Sequence, residues 1–153
     1  DLSLQVEYNG GITASYPINN AWLVGVDYFM HSKDFKNTLN LKALYKNIKK
    51  KDSDVPMQFT AVWAMNDLFG VKGLKFDGFA DFWWEDHLVD FREDGTADKK
   101  STVFITEPQL WYNVGQHFGV DNLSLGTEIE LSNNFGSTGG FKCRPCLGVK
   151  WDF

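Results

Sequence analysis

A stretch of alternating charged and aromatic side chains offers the most direct chemistry in this sequence. At every odd-numbered position of residues 75–85 the side chain is ionisable or aromatic: Lys75, Asp77, Phe79, Asp81, Trp83 and Glu85. Aromatic rings stack on the flat face of a base-sized ligand with a gain of roughly 1–3 kcal/mol, and ionised carboxylates accept hydrogen bonds from hydroxyl groups. The pattern predicts a surface on which aromatics and carboxylates contact a polar solute together.

We interpret this surface, with charged residues further along the chain, as the candidate site. Phe79 and Trp83 are the predicted stacking platforms. The predicted hydrogen-bonding partners are Asp77, Asp81, Glu107 and Gln109. The residues predicted to set the electrostatic field are Glu128, Glu130, Lys142 and Arg144. An alternative stays open, in which all these groups only fill and cross-link a solid interior.

Strands are the elements that must position these side chains. Phe141–Phe153 has apolar residues or Pro at odd positions and mainly charged or small residues at even ones. A period of two indicates a strand with one apolar and one wet face. The other predicted strands are Leu2–Tyr8, Ala21–His31, Thr38–Ile48, Met57–Met65, Leu74–Glu85, Thr102–Asn113 and Leu123–Ser132. No segment has a convincing helical period.

Strand length and side-chain distribution predict an all-β, antiparallel transmembrane β-barrel with eight strands in this chain. A tilted membrane-spanning strand needs about 9–11 residues, whereas strands of soluble proteins average about five or six. Period-two alternation alone does not say which face points outward. Trp and Tyr near strand ends, Glu128 and Glu130 facing Lys142 and Arg144, and the terminal Phe153 favour lipid outside.

Composition limits the remaining classes. The 153 residues predict one domain, 1–153, and the net charge of -5 argues against a nucleic-acid partner. Cys143 and Cys146 lie on opposite faces of a predicted strand, so we expect neither a disulfide between them nor a metal site. No cofactor is expected. Because the chain begins at Asp1 without a signal peptide, we interpret it as processed or incomplete.

The predicted connections alternate between two ends of the sheet. Those assigned to the outer end are Asn9–Asn20, Lys49–Pro56, Asp86–Lys100 and Asn133–Gly140; those assigned to the inner end are Ser32–Asn37, Asn66–Gly73 and Val114–Asn122. The longest predicted connections fall on the outer side, as outer-membrane barrels prefer. Pro108 and Pro145 fall inside predicted strands, where each removes a ladder donor, and we expect a bulge at each.

Several segments together resemble an uncharacterised outer-membrane family of Bacteroidetes-type bacteria. These segments are 6–11 (VEYNGG), 76–83 (FDGFADFW), 107–111 (EPQLW), 125–135 (LGTEIELSNNF) and 148–153 (GVKWDF). That family is similar to the Tsx-type nucleoside-specific channels, which are twelve-stranded barrels. The resemblance implies that the eight strands are a short relative or part of a twelve-stranded barrel.

The resemblance implies a location in the bacterial outer membrane, in contact with lipid, and a channel for passive uptake of small solutes such as nucleosides. The alternative is a non-conducting structural or accessory barrel that binds other outer-membrane proteins in a larger complex. An enzyme is not expected, because His31, His87 and His117 lack a Gly-x-Ser-x-Gly turn nearby. His87 falls in the predicted loop Asp86–Lys100, which we interpret as a solvated loop or a docking segment.

Overall fold

The computed structural model describes residues 1–12, 17–49 and 53–152. Among these residues, nine strands form one antiparallel sheet. The strands are β1 (Leu2–Ile12), β2 (Pro17–His31), β3 (Asn37–Ile48), β4 (Met57–Asn66), β5 (Leu74–Val89), β6 (Asp98–Thr106), β7 (Gln109–Tyr112), β8 (Leu123–Asn133) and β9 (Phe141–Trp151). Two single 3₁₀ turns, Leu68–Gly70 and Gly115–His117, lie between strands. None of the helical segments in these ranges has the length and apolar character that crossing a membrane requires.

Each strand pairs with the next, except where β6 and β7 share one position between β5 and β8. β9 then pairs with β8 over its whole length. Within the described ranges β1 and β9 are the two ends of the sheet and are not paired with each other. The prediction of an all-β antiparallel domain is confirmed, and the sheet is open in this structure.

The predicted strands agree with the observed ones to within a few residues at most ends, and two differences matter. The sixth predicted strand is interrupted at Glu107 and Pro108, which divide it into β6 and β7. β5 continues to Val89, so the prediction that His87 lies in a loop is wrong. Parts of two predicted outer connections, 13–16 and 50–52, and the terminal Phe153 lie outside the described residues.

The two prolines inside predicted strands behave differently. Pro108 ends the pairing of β6, as expected of a residue that donates no backbone hydrogen bond. Pro145 lies opposite Ile129 in an unbroken register, so the predicted bulge there is wrong. The Ile129 amide donates to the carbonyl of Pro108, away from β9. The pair Ile129–Pro145 therefore exchanges no hydrogen bonds, and the Pro145 nitrogen faces the open edge, where no donor is needed.

Glycines allow neighbouring strands to approach closely and curve the sheet. A Cβ placed on Gly25 of β2 would lie 2.1 Å from the carbonyl oxygen of Ala43 on β3. A Cβ on Gly78 of β5 would lie 2.5 Å from the carbonyl oxygen of Glu107, where β6 gives way to β7. Glycine at such positions permits the bends that curved sheets require. Residues from β1 and from the β8–β9 loop line one common cavity, which follows from this curvature.

The two faces of the curved sheet differ in chemistry. The convex face carries large apolar side chains that remain exposed, including Leu4 at 88%, Leu147 at 91% and Val149 at 70%. The concave face carries buried polar side chains: Asp27, Lys46, Gln58, Thr60, Glu85, His87, Ser124 and Ser132. A small apolar cluster also lies on the concave face: Ala21, Leu23, Leu44, Ile48, Trp83, Val103 and Ile105. This arrangement is the reverse of an ordinary soluble sheet, which buries its apolar side chains.

Candidate functional site

A chamber of about 620 Å³ lies on the concave face, at the end of the sheet where β5 meets the β8–β9 loop. Its wall combines apolar rings with ionisable groups. The wall residues used below are Lys46, Gln58, Phe79, Asp81, Trp83, Glu85, His87, Glu107, Asn134 and Phe135. A concave, largely apolar pocket with a few convergent polar groups is the usual form of a small-molecule site.

One wall of the chamber is a chain of hydrogen bonds across β3, β4 and β5. The Lys46 ammonium donates to Gln58 Oε1 at 2.7 Å, and Gln58 Nε2 donates to Thr60 Oγ1 at 3.0 Å. The Thr60 hydroxyl donates to Asp81 Oδ1. Since Gln58 accepts at one end and donates at the other, its amide has a single orientation in this chain. The chain therefore fixes a cation and a carboxylate on the same wall.

Trp83 is held in place from several sides. Its indole Nε1 donates to Glu85 Oε2 at 2.9 Å, and the Lys46 ammonium lies 3.8 Å from the ring centroid. Phe135 approaches it edge-on, with centroids 6.3 Å apart at 88°. Because a cation–π contact covers one face of the indole, a ligand that stacked on that face would have to displace Lys46.

Four of the predicted site residues line the chamber: Phe79, Asp81, Trp83 and Glu107. Asp81 accepts from Thr60 and forms no ion pair with a described residue. The side chain of Glu107 forms neither a hydrogen bond nor an ion pair within residues 1–12, 17–49 and 53–152. Both carboxylates are therefore available to accept hydrogen bonds from a ligand in the chamber.

Asp77, Gln109 and Glu128 lie further along the concave face, toward the other end of the sheet. Asp77 Oδ2 pairs with Lys75 Nζ at 2.6 Å, and Gln109 Nε2 donates to Glu128 Oε2 at 2.6 Å. Gln109 also accepts from the indole Nε1 of Trp111 at 2.9 Å. These three predicted residues are thus partnered within the protein.

Trp111 lies flat over two glycines of the neighbouring strands. In the register of β7, β8 and β9, Trp111 is opposite Gly126, which in turn is opposite Gly148. A Cβ on Gly126 would lie 2.5 Å from the Trp111 ring, and one on Gly148 would lie 3.0 Å from it. The glycines provide the space that the indole occupies, as aromatic residues do over glycines in other sheets.

The remaining predicted residues lie toward the open edge formed by β9. Arg144 is opposite Glu130 in the register, and its guanidinium contacts the Glu130 carboxylate. The prediction that these two side chains share a face is confirmed. Lys142 is opposite Ser132 and is exposed. The ten predicted residues thus share one face of the sheet, but the structure brings together only those near the chamber.

Sequence reasoning did not assign Lys46, Gln58, His87 and Phe135 to the site. Lys46 belongs to the polar face of the third predicted strand, and this pattern indicates that it shares a face with the predicted site. Its position beside Trp83, however, depends on the register across β3, β4 and β5. Phe135 lies in a connection, and no periodic signal marks the direction in which a loop residue points.

Two of the three histidines lie at the opposite end of the sheet, away from the chamber. His31 stacks on Phe35 with centroids 3.8 Å apart, and His117 Nε2 contacts the Tyr112 hydroxyl at 2.7 Å. Across the described part of the chain, no group of His, Cys, Asp or Glu side chains is arranged to hold a metal ion.

An ion pair joins two connections at that same end. Lys36 Nζ lies 2.6 Å from Asp67 Oδ2. The hydrogen bond from Lys36, with a second from the Gly73 amide, lowers the pKa of Asp67 below its ordinary value of 3.8. Both side chains are accessible to solvent, so the pair contributes little to stability.

Taken together, the fold and site define an all-β protein with an open antiparallel sheet, an exposed apolar face and a polar concave face that contains a chamber. Residues 1–153 match the model of a family described as Domain of unknown function (DUF5020), and the chain belongs to that family. A search of curated proteins and a search of solved structures found no match.

Proposed function

We propose that this sheet is the wall of an outer-membrane β-barrel that conducts small polar solutes, resembling the Tsx-type channels in taking solutes such as nucleosides. The observation that carries the proposal is the inversion of the two faces. Contiguous exposed apolar surface of this extent marks contact with a membrane or another protein. Buried charged and amide side chains on the other face are suited to a polar lumen.

The aromatic residues of the convex face support a membrane environment. Tyr8 and Trp22 pair across β1 and β2 with ring centroids 5.0 Å apart, and both are exposed. Tyr28 and Trp151 are also exposed on this face, near strand ends. Trp and Tyr concentrate at the two interfaces of a bilayer because each has an apolar body and a polar atom.

The chamber supports a solute with hydrogen-bond donors and a flat apolar part. Phe79 offers a ring, and Asp81 and Glu107 offer acceptor oxygens on the same wall. The Lys46 ammonium, fixed by Gln58 and Trp83, adds a donor. A nucleoside carries hydroxyl donors and an aromatic base, so its chemistry is complementary to this wall.

A second candidate function is favoured by the apolar cluster on the concave face. Leu23 and Leu44 are fully buried there, next to Trp83 and Val103. Side chains packed in this way narrow a lumen, as in small barrels whose interior is filled. A non-conducting barrel that serves as a structural or accessory part of a larger outer-membrane complex would need such packing and no open path.

Two measurements test the proposal in sequence. Purified protein in detergent is first run on a gel with and without heating; a membrane barrel is expected to migrate faster unheated. Flux of uridine and adenosine is then measured in liposomes, with Phe79→Ala as the site variant. The matched control is Phe59→Ala, since Phe59 is exposed on the convex face.

We expect solute flux from the wild type, a reduced preference for nucleosides over sugars of similar size in Phe79→Ala, and no change in Phe59→Ala. Heat-dependent migration without flux would reject the channel and favour the non-conducting barrel. Identical migration with and without heating would contradict both.

A further inference from the structure

The β8–β9 loop, residues 134–140, forms a compact turn beside the chamber. Asn134 closes the turn through its side chain. Its Oδ1 accepts from the Gly140 backbone amide at 2.9 Å, and its Nδ2 donates to the Thr102 carbonyl oxygen at 3.2 Å. Phe135, Gly136 and Ser137 line the chamber. The loop is therefore part of the chamber wall as well as a connection.

Asp90, just after the end of β5, anchors this loop. Its Oδ1 accepts from the Gly139 amide at 3.0 Å, and its own amide donates to the Ser137 carbonyl at 2.9 Å. A Cβ on Gly139 would lie 2.3 Å from Asp90 Oδ2, so the contact leaves no room for a side chain. The loop is thus seated beside the end of β5 by one side-chain and one backbone contact of Asp90.

His87 makes the contact that depends on protonation. Its Nδ1 lies 2.8 Å from the Glu85 carbonyl oxygen, and its Nε2 lies 2.7 Å from the Asn134 carbonyl oxygen. Carbonyl oxygens only accept hydrogen bonds, and a neutral imidazole has one N–H. Both contacts are hydrogen bonds only when both ring nitrogens carry a proton, which makes the ring a cation. The geometry therefore fits the imidazolium form of His87.

The surroundings of His87 allow a charged ring. His87 is 9% exposed. The Glu85 side chain lies on the same strand and the same face, Lys100 is opposite on β6, and Asp90 follows three residues later. The other titratable groups that line the chamber are Lys46, Asp81 and Glu107 from the concave face, and Tyr8, which belongs to the convex face of β1 but lies beside the register shift at Asn9. The β8–β9 loop itself contributes none.

We propose that the β8–β9 loop is a pH-dependent lid of the chamber, with His87 as its latch. The protonated ring donates to Asn134 and holds the loop, including Phe135 against Trp83. When the ring loses a proton, its single N–H donates to only one of the two carbonyl oxygens. The bond to Asn134 is then either broken or kept by a neutral ring without charge assistance, and in both cases the loop is held less tightly. This inference does not depend on whether the protein conducts solutes.

The sign of the pH dependence follows from this geometry. Histidine is the side chain whose charge changes between about pH 5 and 8. We expect a seated loop at about pH 5 and a loosened loop at about pH 8. The amides that report the seated loop are those of Gly139 and Gly140, which donate to Asp90 and Asn134.

The test is amide hydrogen exchange of Gly139 and Gly140 in the intact chain, corrected for the intrinsic effect of pH. Protection is expected to fall roughly fivefold or more between about pH 5 and about pH 8, the size of the difference between a charged and a neutral hydrogen bond. In His87→Gln, protection should be low and independent of pH. The control is His117→Gln, because His117 contacts a hydroxyl that either donates or accepts.

A second measurement needs no substitution. Nitrogen NMR of the His87 ring in the wild-type protein should show two protonated nitrogens at pH 5 and one at pH 8. A neutral ring at pH 5, or equal protection of the loop at both pH values in the wild type, would overturn the proposal.

Discussion

The convex and concave faces of the sheet have the same period-two sequence pattern but opposite surroundings. On the convex face, the side chains of Leu4 and Leu147 are almost fully exposed. On the concave face, Lys46 is 8% exposed and Gln58 only 2%, and each hydrogen-bonds to the other. Exposed large apolar patches and buried polar groups are the informative departures from ordinary burial. Both departures occur here on the same strands.

The difference teaches that polar connectivity, in addition to one small apolar cluster, specifies the concave face. Glu7 pairs with Lys42 at 2.6 Å across β2, and Asp27 accepts two hydrogen bonds from Asn40 at 3.0 and 2.8 Å. Such networks are stabilising when every member is satisfied and destabilising when one is removed. The apolar side chains of the convex face do not need hydrogen-bond partners within the sheet. Their contribution to the free energy of folding depends on whether water, lipid or protein covers them.

The largest effect is expected from a charge on the convex face. Val24 lies between Val6 and Tyr45 in the register of β1, β2 and β3. If this face contacts hydrocarbon, Val24→Arg destabilises the folded protein in phospholipid vesicles by about 2–4 kcal/mol. Urea-dependent unfolding in vesicles measures this change.

The matched control is Gln5→Arg, which places the same charge on the concave face. Gln5 is half-buried there, and its amide donates to Glu7 at 3.1 Å. We expect a much smaller change, since Glu7 is nearby to accept from the new guanidinium. Equal destabilisation by both variants would contradict the assignment of the two faces.

An intermediate effect is expected when the concave network is interrupted. Gln58→Leu removes the acceptor of Lys46 and the donor to Thr60 without changing the size of the side chain greatly. Leaving a buried polar group unsatisfied costs about 1–3 kcal/mol. The free energy of unfolding should fall by that amount. The matched control is Gln116→Leu: the Gln116 side-chain amide donates to the Lys72 carbonyl oxygen in an exposed contact, so this substitution should change the free energy of unfolding little. A Gln58→Leu variant as stable as the control would show that the network does not specify this face.

The smallest effect is expected at the ion pair that lies on neither face. Lys36 lowers the pKa of Asp67 from 3.8, so the pair stabilises the folded state above that pH, and the contribution is lost as the pH falls through the lowered value. Lys36→Met should be slightly less stable than the wild type at pH 7, and this difference should be smaller at about pH 2. Urea midpoints at the two pH values measure this, and a difference that grows on acidification would contradict it.

The strands and their faces could be predicted because period two is a local property of the sequence. Leu147 and Val149 were assigned to one face and Arg144 to the other, and the structure agrees. Counting residues back through the hairpin connection limited the partner of Glu130 to Arg144 or Lys142, and the structure pairs it with Arg144.

The chamber could not be predicted in the same way. Its hydrogen-bonded wall depends on Gln58 lying opposite Trp83, which is set by pairing between strands rather than by either segment alone. The end of β5 was placed too early because Asp86 and His87 resemble loop residues by polarity. The strand continues because residues 87–89 pair with Lys100, Lys99 and Asp98 of β6.

The native cysteines of β9 offer the most direct test of the central claim, that the convex face contacts lipid and the concave face encloses water. Cys143 lies opposite Leu131 on the convex face, and Cys146 lies opposite Glu128 on the concave face. Both are free thiols on the same strand. The single-cysteine variants Cys146→Ser and Cys143→Ser therefore report the two faces separately.

The measurement is the rate of labelling of each thiol by a water-soluble maleimide in protein reconstituted into phospholipid vesicles, with quenching of an attached probe by spin-labelled lipid. We predict that Cys146 is labelled from water and weakly quenched, while Cys143 reacts slowly and its probe is strongly quenched by lipid. The reverse order, or lipid quenching absent at both positions, would contradict the account.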